Sequence, residues 1–108
     1  TRENLMAAIE GETHEVESMY PGFLATAREA KLDEAATAFE YALAVEKKHR
    51  DLYKAALAAL ESPDSKNELK KLADTFAVCP VCGNTMSGNI PETCEICGEA
   101  IASFVVVK

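Results

Sequence analysis

The spacing of apolar residues predicts two long helices in the first half of the chain. The clearer helix runs from Asp33 to about Glu61, where apolar residues recur at every third or fourth position, the spacing of one helix face. The apolar members of this face are Leu32, Ala35, Phe39, Ala42, Tyr53, Leu57 and Leu60. Glu46 and His49 occupy the two places on the same face where an apolar residue is missing. A carboxylate in an apolar core is costly unless it is paired, protonated or metal-bound, so these two residues mark a candidate functional site.

A second helical pattern covers residues 4–30. Its apolar members are Leu5, Ile9, Val16, Met19 and Phe23. Glu12 fills a gap in this face, and Glu15 lies one turn further on at its edge. Pro21-Gly22 predicts a kink inside one bent helix, because proline removes a backbone donor and glycine loosens the turn.

The short connection Ala30-Lys31-Leu32-Asp33 makes the two helices antiparallel neighbours, with Asp33 as the expected N-cap. Glu12 lies 19 residues before Lys31, and Glu46 and His49 lie 15 and 18 residues after it. At a rise of about 1.5 Å per residue, these side chains should lie at nearly the same height along the hairpin. The sequence therefore predicts that the misplaced polar residues of both helices meet at one level.

The charge balance and the absence of apolar runs narrow the choice of partners. The chain has 18 acidic and 11 basic residues and a formal charge of −7, which argues against nucleic acid and against an anionic membrane surface. No apolar run approaches membrane-spanning length and no signal-peptide pattern opens the chain, so we expect a soluble, cytoplasmic protein. Because the chain begins with Thr1, we expect it to be trimmed or to be one segment of a longer protein.

A change in composition predicts a second, smaller unit after the helices. Ser62-Pro63-Asp64 ends the long helix, and the capping-box pattern of residues 65–68 predicts a short linker helix to about Ala73. From Phe76 onward the chain reads as a small β module, and the β-branched residues of 101–107 predict its last strand. The expected division is a helical unit at 1–61, a linker at 62–75 and the β module at 76–108.

All four cysteines lie in this β module, in two Cys-x-x-Cys-Gly motifs, the knuckles Cys79–Gly83 and Cys94–Gly98. The two-residue gap lets both sulfurs of a knuckle face one metal, and the glycine provides a tight turn. Disulfides are disfavoured without a secretion signal. Four thiolates suit tetrahedral zinc or iron, and the spacing does not separate these metals. The alternative to a redox centre is a zinc ribbon that only folds this end of the chain.

The helical residues match half of a known ligand set. Di-iron carboxylate bundles use one Glu from each of two helices and a Glu-x-x-His motif from each of two others. Glu12 and Glu46-x-x-His49 supply one copy of each. The alternative is that the helices are rotated so that these residues face solvent.

The order of these motifs resembles the second half of the rubrerythrin family. The resemblance rests on NLMAAIEGETHEVESMY at 4–20, on AVEKKHRDLY at 44–53, and on the CPVCG and CEICG knuckles. It implies a mixed architecture of α-helices and a small β module. An antiparallel helix pair would complete a ferritin-like four-helix bundle with a partner chain, followed by a rubredoxin-like four-cysteine metal domain.

The resemblance also implies residue roles. Glu12 and Glu46 would be carboxylate ligands of the di-iron centre, Glu15 a carboxylate whose ligation changes with oxidation state, and His49 the imidazole ligand. Tyr20 would place its hydroxyl near the site. One iron, or zinc, would be held by Cys79, Cys82, Cys94 and Cys97. The family often has an aromatic residue at the position of Asn84 and a proline at that of Glu95, so the metal of the cysteine site stays open.

One copy of this chain cannot complete the di-iron site, because the first helix pair of the bundle is absent. The partner is expected to be a second identical chain or the missing N-terminal half. Two copies each of Glu12, Glu15 and Glu46 would place six carboxylates in one cluster, where they would repel one another. The assembled site should therefore bind two divalent cations or take up protons.

The leading hypothesis for function is reduction of hydrogen peroxide to water. Electrons would come from the four-cysteine iron, supplied by an external donor such as a rubredoxin or an NAD(P)H-linked reductase. The alternative from a different class is a non-catalytic iron-binding or storage module with a structural zinc ribbon. A third possibility is an oligomerising scaffold with no metal at the helices.

Overall fold

The structure, a computed structural model, describes residues 1–72, 75–88 and 90–108. The helices are Arg2–His14 (α1), Tyr20–Glu29 (α2), Asp33–Glu61 (α3) and Ser65–Lys71 (α4). The strands are Phe76–Val78 (β1), Thr85–Met86 (β2) and Val105–Val107 (β3). Helices α1 and α2 follow one another along α3, so the first half of the chain is a helical hairpin.

The first arm of the hairpin is one continuous helical run, as predicted, but its irregular part lies before Pro21. Between Glu15 and Met19 the helix widens into a π-helix, and the backbone N–H of Tyr20 donates to the carbonyl of Glu15. Pro21 falls in the first turn of α2, where no intrahelical donor is needed. The hydrogen-bond register thus already changes upstream of the missing donor, and the kink expected at Pro21-Gly22 stays a prediction.

The connection between the arms is a Schellman turn. Lys31 adopts a left-handed conformation with φ 57°, and the N–H of Leu32 donates to the carbonyl of Ala27 at 2.9 Å. Leu32, rather than the predicted Asp33, is the N-cap of α3, because its carbonyl accepts the hydrogen bond of Ala36 at 2.9 Å. Asp33 is instead the first helical residue, where its charge still favours the helix dipole.

The hairpin buries one side and exposes the other. Near the turn, Leu24, Ala27 and Ala36 form a buried core against which Phe39 packs. Met6 and Phe23 remain 45% and 46% exposed. A helix pair that leaves large apolar side chains uncovered has the surface of half a bundle.

The linker helix differs in its start from the prediction. Asp64 is the N-cap of α4, and its carboxylate accepts a hydrogen bond from the side-chain amide of Asn67 at 3.0 Å. Glu68 bonds Lys71, so the expected capping box with Ser65 is replaced by these contacts. The predicted end of this helix, Ala73, lies outside the described residues, and the boundaries of the three units stay a prediction.

The β module is a three-stranded antiparallel sheet in the order β2-β1-β3. Ala77 pairs with Met86 on one side and with Val106 on the other. The predicted strand over 101–107 was wrong in its first half, which is a 3₁₀ turn at Ile101–Ser103. There the N–H of Phe104 donates to the carbonyl of Ile101 at 2.9 Å, so the chain turns before it can pair with β1.

The module lies against α3. The knuckle glycine Gly83 faces Val45, and Thr85 at the start of β2 faces His49. Lys48 of α3 forms an ion pair with Glu95 of the second knuckle. Among the described helices, none is both long and apolar enough to cross a membrane.

Candidate metal centres

Glu12, Glu46 and His49 come together in the middle of the hairpin. His49 Nδ1 lies 3.2 Å from a carboxylate oxygen of Glu46 and 3.9 Å from one of Glu12. One ligand atom from each residue fits within 4.8 Å of the other two. The side chains are only 15%, 18% and 28% exposed for Glu12, Glu46 and His49. The two helices thus meet at the level that residue counting predicts, and the polar residues face inward.

The β module fixes the ring of His49. Nε2 lies 3.3 Å from the carbonyl oxygen of Gly83 and 3.3 Å from the hydroxyl of Thr85. That hydroxyl donates its own hydrogen to the Gly83 carbonyl at 3.2 Å, so both neighbours of Nε2 present lone pairs. Nε2 therefore carries a hydrogen that points at these acceptors. Nδ1 faces the carboxylates, an arrangement typical of a metal-binding histidine with an outer hydrogen-bond acceptor.

The carboxylates show the electrostatic cost of this arrangement. Burial, together with the neighbouring Glu46 and Glu15, raises the pKa of Glu12 to about 8. Burial also works to raise the pKa of Glu46, but hydrogen bonds from Glu12 and His49 outweigh it and hold that pKa below its usual value. The second oxygen of Glu12 is buried and has no hydrogen-bond partner among the described residues. Two carboxylates and an imidazole with an unpartnered oxygen fit a divalent cation.

Glu15 and Tyr20 lie beside this set. Glu15 is half-buried at the start of the π-helix and interacts with both Glu12 and Glu46, but it is not among the three residues whose ligand atoms cluster. Burial and the charges of Glu46, Glu15 and Glu12 raise the pKa of Tyr20, which shows that its hydroxyl faces the same acidic region. The ligand roles of these residues stay a prediction.

The four cysteines form a compact cluster. Sulfur–sulfur distances are 3.6 Å for Cys79 and Cys97 and 3.6 Å for Cys82 and Cys94. Four sulfurs about 2.3 Å from one tetrahedral metal would lie about 3.8 Å apart, whereas a disulfide requires about 2.05 Å. The geometry therefore fits one metal ion held by four thiolates.

The knuckle turns form as the sequence predicts. Gly83 and Gly98 have φ values of 83° and 82°, a region that favours glycine. Burial works against the Cys94 thiolate, but backbone N–H groups of Cys97 and Ile96 outweigh it and lower the pKa of Cys94 to about 6. Burial raises the pKa of Cys82 and of Cys97. Without metal, Cys94 therefore loses its proton more readily than Cys82 and Cys97 do.

Sequence reasoning missed the residues that join the two centres. Thr85 and the Gly83 carbonyl contact His49 from more than 30 positions away, and Lys48 holds the pKa of Glu95 below its usual value through their ion pair. These contacts follow from docking of the module on α3, which the periodicity of either part does not encode.

Comparison with known proteins identifies relatives. The rubrerythrin family model matches residues 1–57. Rubrerythrin-2 of Clostridium acetobutylicum is 41% identical over 97 residues, which cover 89% of this chain and 50% of that protein. Nigerythrin of Nitratidesulfovibrio vulgaris is 34% identical over 94 residues, covering 87% of this chain and 43% of that protein. The chain thus spans about half the length of these relatives.

Solved structures extend the similarity to the whole fold. Fully reduced, all-ferrous nigerythrin matches with a TM-score of 0.80 at 30% identity, over 98% of this chain and 48% of that chain. Mixed-valent nigerythrin matches with the same TM-score. The predicted fold class, a ferritin-like helix pair followed by a rubredoxin-like module, is confirmed. Since the family model covers more than half of the residues and the nigerythrin fold nearly all of them, the chain belongs to the rubrerythrin family.

Proposed function

We propose that this chain supplies half of a di-iron site and one complete four-cysteine iron centre to an enzyme that reduces hydrogen peroxide to water. The observation that carries the proposal is the convergence of Glu12, Glu46 and His49, with a buried Glu12 oxygen that has no partner among the described residues. Membership in the rubrerythrin family supports the same function.

The residues that would hold the metals are those of the two clusters. Glu12, Glu46 and His49 would bind at the helices, with Glu15 one turn away as the carboxylate that changes ligation. Cys79, Cys82, Cys94 and Cys97 would bind one iron. When bound, these irons supply the two electrons that, with two protons, convert one hydrogen peroxide molecule into two water molecules.

The chain's own residues prepare the site for that reaction. Glu12 holds a proton at neutral pH in the metal-free site, which relieves its repulsion with Glu46. Tyr20 directs a hydroxyl toward the carboxylates, and its ring packs against the rings of Phe23 and Phe39 at centroid distances of 6.1 Å and 6.3 Å. The knuckle carbonyl of Gly83 orients His49, so the electron-transfer module and the helical site are in direct contact.

A second helix pair must complete the helical site. We propose that it comes from a second identical chain or from an N-terminal half, in either case bringing one Glu and one Glu-x-x-His motif. The exposed apolar side of the hairpin and the half-length match to the relatives support this. The electron donor proposed for the four-cysteine iron is a rubredoxin or an NAD(P)H-linked reductase.

Substitution of Glu46 tests the function in the assembled protein. Glu46→Ala should reduce peroxide consumption to background while circular dichroism still shows a folded bundle, because the variant removes a ligand that α3 does not need for packing. Glu34→Ala, an exposed carboxylate in the first turn of the same helix, serves as the control and should keep full turnover. Unchanged turnover in Glu46→Ala would refute the assignment.

Metal analysis separates this function from the non-catalytic alternative. Iron in the four-cysteine site, visible as thiolate-to-iron absorption, is expected for an electron-transfer module. Zinc in that site of the protein as isolated would instead favour a storage or binding module with a structural zinc ribbon.

A further inference from the structure

Asn84 lies between the two cysteine knuckles. Of the residues that the structure describes, it is the only polar one that is fully buried, with 0% of its surface exposed. It follows the first knuckle directly and precedes β2. A fully buried amide needs hydrogen-bond partners, so the position of its donors is informative.

Asn84 reaches one cysteine of each knuckle. Its backbone N–H donates to Cys82 Sγ at 3.4 Å, and its side-chain Nδ2 donates to Cys94 Sγ at 3.7 Å. Its carbonyl accepts the N–H of Cys79 at 2.9 Å. Asn84 therefore forms hydrogen bonds with three of the four cysteines.

The chemistry of a thiolate fixes the orientation of the amide. A thiolate can only accept hydrogen bonds, so the NH₂ end of the side chain must face Cys94 and the oxygen must face away. That oxygen, Oδ1, is buried without a hydrogen-bond partner among the described residues. An aliphatic side chain would avoid this unsatisfied oxygen but would give Cys94 no donor.

We propose that Asn84 tunes the four-cysteine centre, its side-chain amide donating to the Cys94 thiolate and thereby raising the reduction potential of a bound iron. This rests on the proposed function only in that the centre takes iron. The amide acts on the metal through a ligand, so Asn84 is a positioning residue rather than a catalytic one.

The sign of the effect follows from charge. Adding one electron takes iron from ferric to ferrous and leaves the four-thiolate centre one unit more negative. An N–H dipole directed at a sulfur stabilises the more negative state more strongly, so it favours reduction. Because the side chain is shielded from water, the interaction is weakly screened.

Redox titration of the full chain loaded with iron tests the proposal. Asn84→Leu removes the donor while keeping the branching and the number of side-chain heavy atoms, and should lower the reduction potential. Asn84→Asp keeps the shape but places an acceptor against Cys94, and should lower it further. Met86→Leu, a buried position of β2 next to the knuckle, controls for repacking and should leave the potential unchanged. A potential in Asn84→Leu equal to or above that of the unsubstituted protein would overturn the proposal.

A measurement on the unsubstituted chain avoids any dependence on variant folding. With cadmium-113 in the four-cysteine site, nuclear magnetic resonance should show scalar coupling between the metal and an Asn84 side-chain amide proton, transmitted through the N–H···S bond. Absence of this coupling in a folded, cadmium-loaded module would overturn the proposed donation. Because neither readout involves peroxide, failure here is distinguishable from failure of the proposed function.

Discussion

The two candidate metal centres differ in how much of each the chain itself supplies. The four-cysteine site takes all four candidate ligands from a short segment, with Cys79 and Cys97 only 18 positions apart. The helical site takes its candidate ligands from two helices, and among the described residues only three donor side chains cluster there. Tight knuckle turns can close a site locally, whereas a helix presents one ligand per turn to a shared interior. A knuckle module can thus be complete in itself, whereas the proposed di-iron site would need a second helix pair.

The same difference appears in the electrostatics. Around the cysteines, backbone N–H groups and the Asn84 amide already face the sulfurs. Around the carboxylates, Glu12 keeps a raised pKa of about 8 and an oxygen without a partner among the described residues. The four-cysteine site carries its own hydrogen-bond donors, while the helical site depends on a cation or a proton from outside the chain.

The largest effect is expected when one cysteine of the four-cysteine site is replaced. Cys94→Ser removes one of four thiolates, and metal affinity of the module should fall at least about 100-fold, because metal binding and folding of such modules are coupled. Circular dichroism should show the helical hairpin retained. Val81→Ala, at an exposed knuckle position, is the matched control and should keep its metal. Full metal occupancy in Cys94→Ser would mean that the site is not the self-contained unit described.

A smaller effect is expected where the two regions touch. Thr85→Val removes the hydroxyl next to His49 Nε2 but leaves the Gly83 carbonyl as an acceptor. Divalent-metal affinity of the assembled helical site should fall about tenfold, the lower end for loss of an outer hydrogen bond. Calorimetric titration, with the cysteine site already filled, measures this. Thr85→Ser should restore affinity, and unaltered affinity in Thr85→Val would show that the module does not orient His49.

The smallest expected effect concerns pH and tests whether the helical site depends on a proton when no cation is bound. Glu12 has a pKa of about 8 in the folded chain against 4.5 for an ordinary Glu side chain. Between these values the folded state keeps a proton that the unfolded chain releases, so the free energy of unfolding falls as pH rises through this window. The melting temperature of the metal-free chain should therefore drop from about pH 5 to about pH 8.

Two controls isolate this pH dependence. Glu12→Gln should flatten the melting curve against pH, because the titrating group is gone. Loading the helical site with manganese should also remove the fall, since a cation replaces the proton. The lowered pKa of Glu46 acts in the opposite sense and only below about pH 4.5, where falling pH removes its contribution. A melting temperature that rises between pH 5 and pH 8 would contradict the raised pKa of Glu12.

Much of the architecture was encoded in local patterns. Apolar spacing predicted both arms of the hairpin, and the short connection set Glu12 level with Glu46 and His49. The knuckle spacing predicted the sulfur cluster and its two left-handed glycines. These features depend on helical periodicity and on turn geometry, and both act over a few residues.

Details that depend on competing hydrogen bonds were less predictable. The π-helix at Glu15–Met19, the Leu32 cap and the 3₁₀ turn at Ile101–Ser103 each replaced a simpler expectation. In each case the local residues permit more than one hydrogen-bond register. The neighbouring chain selects among them, so composition alone gives the element but not its boundary.

The sequence by itself determined the two sets of candidate ligands, because each set follows from the repeat of one secondary structure or one turn. Only the tertiary structure decided that Thr85 and Gly83 face His49, that Lys48 pairs with Glu95, and that the Asn84 amide faces Cys94. Such contacts join residues far apart in the chain and arise from the docking of one surface on another. No periodic signal records that docking, since its geometry depends on the shapes of both surfaces together.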